Sequence, residues 1–389
     1  MFKSRFRPPT GILYRLLTGI SLLAVSGITA AEYKLNFQRP VSTVGYEILE
    51  LHNLITLIVF VIMAIVAAVM IWSIVFHRKS RGRKPATFND NPTVEVIWTI
   101  VPFIILVGMA IPATSVLLKM GDTTNSDMTL KITGYQWKWE YDYMDYGVKF
   151  MSALSTPRDQ IGSPIFSKDG FKSGKKKGEN YLLEVDNRVV LPVGKKIRLL
   201  VTSNDVLHAW WVPAFATKKD AIPGFINEMW VKIDEPGTYR GQCAELCGKD
   251  HGFMPIVVDA VSASEFKKWV NRQKGQMVAA AAAAGKTWTK SSLMKRGEKV
   301  YGQSCAACHG ATGAGIPGVF PAITGSKFAG GAVKGHLGIV MNGKAGTAMT
   351  AFRKQLSDVD IAAVVTYERN ALGNNKGDVV QPSQVKALR

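Results

Sequence analysis

The sequence predicts a multidomain membrane protein with a two-helix transmembrane hairpin, a β-rich domain and a helical C-terminal domain. Two long apolar segments, at residues 54–76 and 96–118, predict the hairpin. Residues 128–260 contain short β-rich segments between turn signals and no long helical period. Residues 290–389 carry helical patterns on both sides of a C-x-x-C-H motif. A chain of 389 residues is long enough for two or three such units.

Both apolar segments exceed the roughly 20 residues that a helix needs to cross a bilayer. The first has no charged residue, and the second contains Pro102 and Pro112, which membrane helices tolerate. The loop between them holds five Lys or Arg residues within residues 77–84. The positive-inside rule therefore places this loop in the cytoplasm and the chain after about residue 120 on the outer side. We expect helices at about 51–76 and 95–118, within a hairpin region that covers residues 32–120.

The N-terminus has the pattern of an export signal. Basic residues precede a short apolar run at residues 16–24, and small residues end at Ala30 and Ala31. We predict a signal peptide over residues 1–31; an uncleaved anchor helix is the alternative. The formal charge of +19 would suggest nucleic acid in a soluble protein, but the signal segment and the cytoplasmic loop hold nine of the positive charges. No nucleic-acid partner is predicted.

Cys305 and Cys308 belong to the sequence CAACHG, which ends the motif with His309. This is the attachment pattern of c-type haem, in which both thiols bind the haem and the histidine is an axial iron ligand. A thioredoxin-like C-x-x-C pair is the alternative. The adjacent histidine and the missing βαβ pattern argue against it.

Residues 290–389 resemble a small bacterial class I cytochrome c, which implies an all-α domain. The resemblance rests on the motif, on the Gly/Pro-rich segment after it, on GTAMTAF, and on a closing helix capped by Ser357. By this resemblance Met349 is the second axial ligand of the iron, a pairing with His309 that raises the haem potential. Met341 is the alternative, but it ends a helical stretch. Pro321 matches the proline whose carbonyl orients the axial histidine.

The other cysteines, Cys243 and Cys247, lie in GQCAELCGKDHGFMP with His251 and Met254. A disulfide, a zinc site with the distant His208, a redox-active dithiol and a softer metal are all compatible with two cysteines. Zinc has little use for a thioether, whereas thiolate, imidazole and thioether ligands together favour copper. Two thiolates are able to bridge a pair of copper ions, but spacing alone leaves these alternatives open.

Residues 45–270 resemble subunit II of cytochrome c oxidase. The resemblance rests on the hairpin and on four segments, ITGYQWKWEYDY, YLLEVDNRVVLPVGKKIRLLV, SNDVLHAWWVPAF and EPGTYRGQCAELCGKDHGFMPIVV. It implies a cupredoxin-like β-sandwich over residues 121–262 that forms a periplasmic copper A domain. It also implies a binuclear copper centre (CuA) whose ligands are His208, Cys243, the backbone carbonyl of Glu245, Cys247, His251 and Met254. The carboxylate of Glu245 is implied to help bind magnesium at the boundary with subunit I.

The same resemblance suggests routes for electrons and protons. Trp137 matches the tryptophan between donor haem and copper, and Glu140, Asp142 and Asp145 nearby suggest an acidic docking patch. Glu95 matches a glutamate at the cytoplasmic mouth of a proton path; an interfacial anchor is its alternative role. Residues 263–289 read as a partly helical linker to the cytochrome c domain at 290–389. His52, His77 and His336 carry no motif and are expected at interfaces or on the surface.

The two resemblances together imply a caa3-type arrangement. The chain is expected to be the electron-entry subunit of a cytochrome c oxidase in the bacterial inner (cell) membrane, with its copper and haem domains on the periplasmic or outer face. Its partners would be subunits I and III and a soluble cytochrome c or another periplasmic donor. Oxygen reduction and proton pumping would occur in subunit I. The alternative function is a membrane-anchored haem c and copper carrier that serves another reductase.

Overall fold

A computed structural model describes residues 36–157, 160–161 and 177–389. The predicted signal peptide, residues 1–31, lies outside them. The hairpin consists of two helices, α1 (Thr43–Phe76) and α2 (Pro92–Gly121). Ser42 caps α1 by accepting a hydrogen bond from the Gly45 amide, and Asn91 caps α2 in the same way. Both helices are long and apolar enough to cross a membrane.

Helix α1 begins eight residues earlier than the predicted residue 51 because its first turns belong to the β-rich domain. A helix of 34 residues is ~51 Å long, whereas the hydrocarbon core of a bilayer is ~30 Å thick. The additional turns are buried at Val44 and Gly45, and the Ser42 hydroxyl donates to the Phe215 carbonyl at 2.7 Å. The Trp230 indole donates to the Lys119 carbonyl of α2 at 2.9 Å. The hairpin therefore holds the β-rich domain directly.

The β-rich domain is a sandwich of two five-stranded sheets in the described residues. One sheet has the order β3-β2-β1-β5-β8, and the other has the order β4-β10-β9-β6-β7. In β5 every second residue is buried, which is the pattern of a strand with one face on the core. The strands are β1 (Met128–Tyr135), β2 (Lys138–Tyr143), β3 (Val148–Ser152), β4 (Val189–Pro192), β5 (Lys196–Ser203), β6 (His208–Val212), β7 (Thr217–Ala221), β8 (Asn227–Lys232), β9 (Gly237–Cys243) and β10 (Pro255–Val261).

The predicted linker is a continuous helix, α3 (Ala263–Ala284), whose first half is part of the sandwich domain. A capping box between Ser262 and Glu265 starts the helix. Phe266 and Trp269 are buried in the sandwich core, with Tyr143 4.9 Å from Trp269 between ring centroids. The alanine-rich second half is exposed. The spacer between the two domains is therefore shorter than residues 263–289.

The C-terminal domain is helical, as predicted. Helices α4 and α8 cross closely at Gly297, where an added Cβ would lie 2.2 Å from the Ala363 carbonyl oxygen. Ser357 caps α8 through the Asp360 amide. The helices are α4 (Lys290–Ser304), α5 (Ala306–His309), α6 (Lys327–Gly330), α7 (Val333–Asn342), α8 (Asp358–Asn370) and α9 (Pro382–Lys386).

Candidate metal and haem sites

Soft donor atoms converge at one end of the sandwich. The Cys243 and Cys247 sulfurs are 3.8 Å apart, and His208 Nδ1 lies 3.9 Å from the Cys243 sulfur. His251 Nδ1 is 3.4 Å from the Cys247 sulfur, and the Met254 sulfur is 3.5 Å from it. The Glu245 carbonyl oxygen is 3.3 Å from the Cys243 sulfur. All six predicted donor groups therefore meet around the two thiols.

Two segments of the chain bring these donors together. His208 is the first residue of β6, and Cys243 is the last residue of β9, the neighbouring strand. The loop from β9 to β10 supplies the other four donors and ends at Met254, just before β10. The Trp139 indole of β2 donates to the Met254 carbonyl at 3.2 Å, which anchors this end of the loop to the opposite sheet. The sandwich thus fixes both ends of the donor loop.

The electrostatics of the cluster suit a cation. The hydrogen bond shared by the two thiols, together with His208, lowers the pKa of Cys243, and the same interaction raises the pKa of Cys247. One thiolate therefore forms readily, and a bound cation would be needed to stabilise the second. Burial disfavours a charged His208, but its hydrogen bond with Asp205 raises the pKa of His208. Asp205 contacts Nε2 at 2.9 Å and orients Nδ1 towards the cysteines.

The packing around His208 leaves room for this imidazole only because residue 134 is glycine. A Cβ at Gly134 would lie 2.7 Å from His208 Cδ2. The ring itself is completely buried. Thiol, imidazole and thioether groups together are a donor set that suits copper, and the Glu245 carbonyl lies beside them.

The predicted haem residues line one cavity in the C-terminal domain. The cavity has a volume of about 470 Å³. Its wall contains Cys305, Cys308, His309, Pro321 and Met349, together with apolar side chains such as Val340 and Leu356. Among these residues, His309 Nδ1 makes a 2.8 Å hydrogen bond with the Pro321 carbonyl. That bond leaves Nε2 for an iron, which is the arrangement that the sequence predicted.

Met349, rather than Met341, is in the cavity wall. Met341 is buried in the last turn of α7 and belongs to the hydrophobic core. Met349 lies in the loop after α7, where Gly343 makes a close approach: an added Cβ would be 2.4 Å from the Met349 carbonyl oxygen. The cavity size, the thiol pair, the oriented histidine and the thioether fit a covalently bound haem c.

The copper-ligand loop and the haem cavity share a boundary, because residues Pro40–Arg389 form one unit. Gln136 and Trp137 donate to the Cys247 carbonyl at 2.9 and 3.2 Å. Both side chains also line the haem cavity. Lys249 Nζ donates to the Ala307 carbonyl inside the C-x-x-C-H motif. One layer of side chains therefore separates the candidate copper ligands from the candidate haem residues.

Several of the contacting residues were not predicted from the sequence. Asp205 lies in the bend between β5 and β6 and precedes His208 by three residues, and this spacing is the signal that could have identified it. Lys138 is buried, and its ammonium group lies 5.1 Å from the centre of the Phe352 ring in the C-terminal domain. Gln136 and Lys249 lie in the segments that carry the family resemblance, but no role was assigned to either of them. Gln136 supports the ligand loop from within the copper domain, whereas Lys249 contacts the cytochrome domain.

Two expectations were wrong. Glu140 was expected in an exposed acidic patch, but it is buried and pairs with Lys149 on the neighbouring strand at 2.8 Å. His336 was expected at an interface or on the surface, but it is buried in the haem cavity wall, where its Nε2 lies 2.8 Å from Glu368. Lys149 lies on the next strand of the same sheet, whereas Glu368 is 32 residues from His336 in the sequence. Glu95 lies in the exposed first turn of α2, apart from the other predicted site residues.

Comparisons with known proteins match three parts of the chain. Residues 30–116 match the family described as cytochrome C oxidase subunit II, transmembrane domain, and residues 128–261 match its periplasmic domain. Residues 292–367 match the family described as cytochrome C oxidase, cbb3-type, subunit III.

Two relatives and one solved structure are similar to parts of this chain. "Probable cytochrome c oxidase subunit 2" of Rickettsia prowazekii is 35% identical over 67% of this chain and 77% of its own length. The protein of the same name in Rickettsia bellii is 35% identical over 66% of this chain and 91% of its own length. A crystal structure of the periplasmic domain of subunit II of cytochrome oxidase from Bradyrhizobium japonicum is 42% identical, covers 40% of this chain and 99% of that chain, and has a TM-score of 0.33.

The fold and the two sites define a membrane-anchored electron-transfer protein with a cupredoxin-like domain and a cytochrome c domain. The chain belongs to the cytochrome c oxidase subunit II family, whose members are parts of an oxidoreductase complex. The family implies a copper centre, and the C-terminal match implies haem c. The predictions of the fold class, of the family and of the fused cytochrome are confirmed.

Proposed function

We propose that this chain is the electron-entry subunit of a terminal oxidase of the caa3 type. Electrons would pass from a donor to haem c, then to the binuclear CuA centre, and on to haem a in subunit I, where O₂ is reduced to water with proton pumping. The observation that carries the proposal is the shared boundary of the two sites. Trp137 lines the haem cavity and donates to the backbone of Cys247, a candidate copper ligand.

The chain's own residues would perform distinct tasks at each site. Cys305 and Cys308 would hold the haem covalently, His309 and Met349 would bind its iron, and Pro321 would orient His309. At the copper pair, two bridging thiolates would let one electron spread over both metals, which limits reorganisation on transfer. The ligands would be His208, Cys243, the Glu245 carbonyl, Cys247, His251 and Met254.

The contact between the two domains supports internal transfer. Lys138 and Lys249 of the copper domain reach Phe352 and the Ala307 carbonyl of the cytochrome domain. Gln303 of α4 also donates to Asp186 at 3.3 Å. Because α3 tethers the two domains, the cytochrome is present at a high effective concentration beside Trp137. This arrangement replaces a diffusing carrier for the final step into copper.

The surface around the candidate copper ligands has exposed apolar side chains, which supports its assignment as a contact with another oxidase subunit. Leu207 and Leu246 directly precede His208 and Cys247, and they are 46% and 76% exposed. Phe225 and Ile226 are also exposed, and the Thr202 hydroxyl at the end of β5 donates to the Phe225 carbonyl. Exposed apolar side chains next to a metal site indicate a protein interface. We assign this face to subunit I, with magnesium bound by the Glu245 carboxylate at the same boundary.

The membrane hairpin would complete the assembly in the bacterial inner (cell) membrane, with both cofactor domains in the periplasm and subunits I and III beside the helices. Glu95, in the first turn of α2, would stand at the cytoplasmic entrance of a proton path. Replacing Glu95 by Ala should then slow proton uptake while the copper and haem c spectra stay normal. Normal turnover of the variant would remove this role.

Purification in a mild detergent separates this proposal from its main alternative, a membrane-anchored carrier that serves another reductase. We expect the chain to co-purify with a large polytopic subunit that contains haem a, and to do so in constant ratio through successive columns. Isolation of the chain as a stable haem c and copper protein without a haem a subunit would favour the carrier instead.

A further inference from the structure

Lys138 is a buried cation at the contact between the copper domain and the cytochrome domain. In β2 the side chains of Trp139 and Tyr141 belong to the sandwich core and are completely buried. Side chains alternate along a strand, so Lys138 points to the outer face of the sheet. It is nevertheless only 6% exposed, and its ammonium nitrogen lies 5.1 Å from the centre of the Phe352 ring. A side chain that faces away from the sandwich core is thus covered by the second domain.

The charge of Lys138 is not neutralised by a neighbouring carboxylate. Among the residues that the structure describes, no ion pair includes Lys138, and Glu140 on the same face of β2 is paired with Lys149 at 2.8 Å. Burial lowers the pKa of Lys138 to about 8, and the neighbouring ionisable groups, Cys305 most of all, oppose this shift. The ammonium group is therefore still charged at neutral pH, and Cys305 of the haem-attachment motif is among its neighbours.

The wall of the haem cavity lies directly behind this contact. Phe352 lines the cavity, and so do Gln136 and Trp137, which precede Lys138 in the chain. The ammonium group is thus one side chain away from the space that would hold the haem. Reduction adds one negative charge to a haem, and a fixed positive charge in a water-poor environment stabilises it. For charges roughly 10 Å apart at an effective dielectric constant of ~20, the equilibrium of reduction changes about tenfold.

We propose that Lys138 couples the redox state of haem c to the contact between the two domains. The inference rests on the proposed function and concerns its internal step. The ammonium group acts on the haem only while Phe352 covers it, so the docked domain has a higher reduction potential than the undocked domain. Coupling between two equilibria is reciprocal, so reduction of haem c strengthens the domain contact by the same factor. The reduced cytochrome domain is held beside Trp137, and the contact weakens after the electron has left.

The first test is a redox titration of the purified full-length protein with both cofactors bound, followed in the haem c absorption. Lys138→Met removes the charge, and Lys138→Arg keeps it. Lys131→Met is the matched control, because Lys131 lies on the same outer face of the sheet, opposite Asp142 at the other end of β2, and is partly exposed. Burying a charge without a partner costs free energy, so Lys138→Met should still fold, and Lys138→Gln is a second neutral variant.

We expect Lys138→Met to lower the equilibrium constant for haem c reduction about tenfold, and Lys138→Arg and Lys131→Met to change it less than about twofold. The loss should persist near 1 M salt, since salt screens surface charges far more than buried ones. Equal shifts in Lys138→Met and Lys131→Met, or shifts below about twofold in both neutral variants of Lys138, would overturn the coupling. A Lys138→Arg protein that matches Lys138→Met would overturn it too, because the side chain would then act by packing alone.

The second test compares the domain contact in the oxidised and the reduced protein by hydrogen exchange of peptides that contain Lys138 or Phe352. Exchange that requires opening of the contact reports the equilibrium between the open and closed forms. It should be up to about tenfold slower in the reduced protein, and this difference should disappear in Lys138→Met. Equal exchange in the two redox states of the unmodified protein would refute the reciprocal effect and with it the coupling.

Photoreduction of haem c separates this inference from the proposed function. Fast electron transfer to copper, together with a haem potential that is insensitive to Lys138, refutes the coupling alone. No electron transfer from haem c to copper in the unmodified protein refutes the proposed function instead, whereas a haem potential and a domain contact that both depend on the Lys138 charge would still uphold the coupling.

Discussion

The substitution Gly134→Ala tests whether the His208 imidazole is held in place for a metal. The new Cβ would lie 2.7 Å from His208 Cδ2 and 2.9 Å from Cγ, whereas ordinary contacts begin at 3.4 Å. The ring would have to retreat by ~0.7 Å, but it is completely buried and held by Asp205. Metal–ligand distances tolerate only about 0.2 Å. The bond from His208 to copper should therefore be broken or lengthened.

The expected result is loss or gross change of the mixed-valence copper signal in electron paramagnetic resonance, with an unchanged haem c spectrum. Overpacking should also destabilise the metal-free protein by about 1–3 kcal/mol. The control is Gly252→Ala in the same ligand loop, because an added Cβ there meets no atom within 4 Å. A Gly134→Ala protein with a normal copper signal would refute the assignment of His208 as a closely packed ligand.

Three other predictions concern the haem, the domain contact and its pH dependence. Met349→Leu should abolish the optical band of the iron–thioether bond and lower the haem reduction potential. Met341→Leu should keep the band and the potential and reduce the free energy of unfolding by less than about 1.5 kcal/mol. The reverse pattern would exchange the roles of the two methionines. Trp137→Phe removes the indole N–H that donates to the Cys247 carbonyl. If this hydrogen bond stabilises the docked state by ~1 kcal/mol, its loss should slow haem-to-copper electron transfer about fivefold. An unchanged rate would exclude that contribution. Burial lowers the pKa of Lys138 to about 8. Between about pH 8 and pH 10 the unfolded chain therefore binds more protons than the folded chain does. The free energy of unfolding should rise with pH in that range by as much as about 3 kcal/mol. Lys138→Met should remove this rise relative to the unmodified protein in thermal unfolding, and equal pH slopes in the two proteins would contradict the burial of the charged amine.

The candidate haem residues, which share one cavity, were each chosen from a local sequence pattern with specific chemistry. The C-x-x-C-H motif identifies Cys305, Cys308 and His309, and the helical pattern around Met341 directed the ligand assignment to Met349, which lines the cavity. The two apolar segments likewise identified the hairpin. These features depend on neighbouring residues, which a sequence displays directly.

The residues that were misplaced, Glu140 and His336, are buried with partners on other elements. Glu140 lies on a strand that alternates polar and apolar residues, but it is buried and the neighbouring strand supplies Lys149 as its ion-pair partner. His336 occupies the buried stripe of α7 four residues before Val340, so its burial had a signal, but its partner Glu368 is on α8. Lys138 is covered by Phe352 of another domain. A contact between two domains leaves no signal in the local periodicity of either sequence segment.

The central claim is that the cytochrome domain delivers electrons to the copper centre within the same chain. Its most direct test is to photoreduce haem c in the purified protein and to record haem and copper absorption together. The account predicts that haem c is reoxidised as copper is reduced, with one rate constant that does not change when the protein is diluted. A rate proportional to protein concentration, or haem reoxidation without copper reduction, would contradict it.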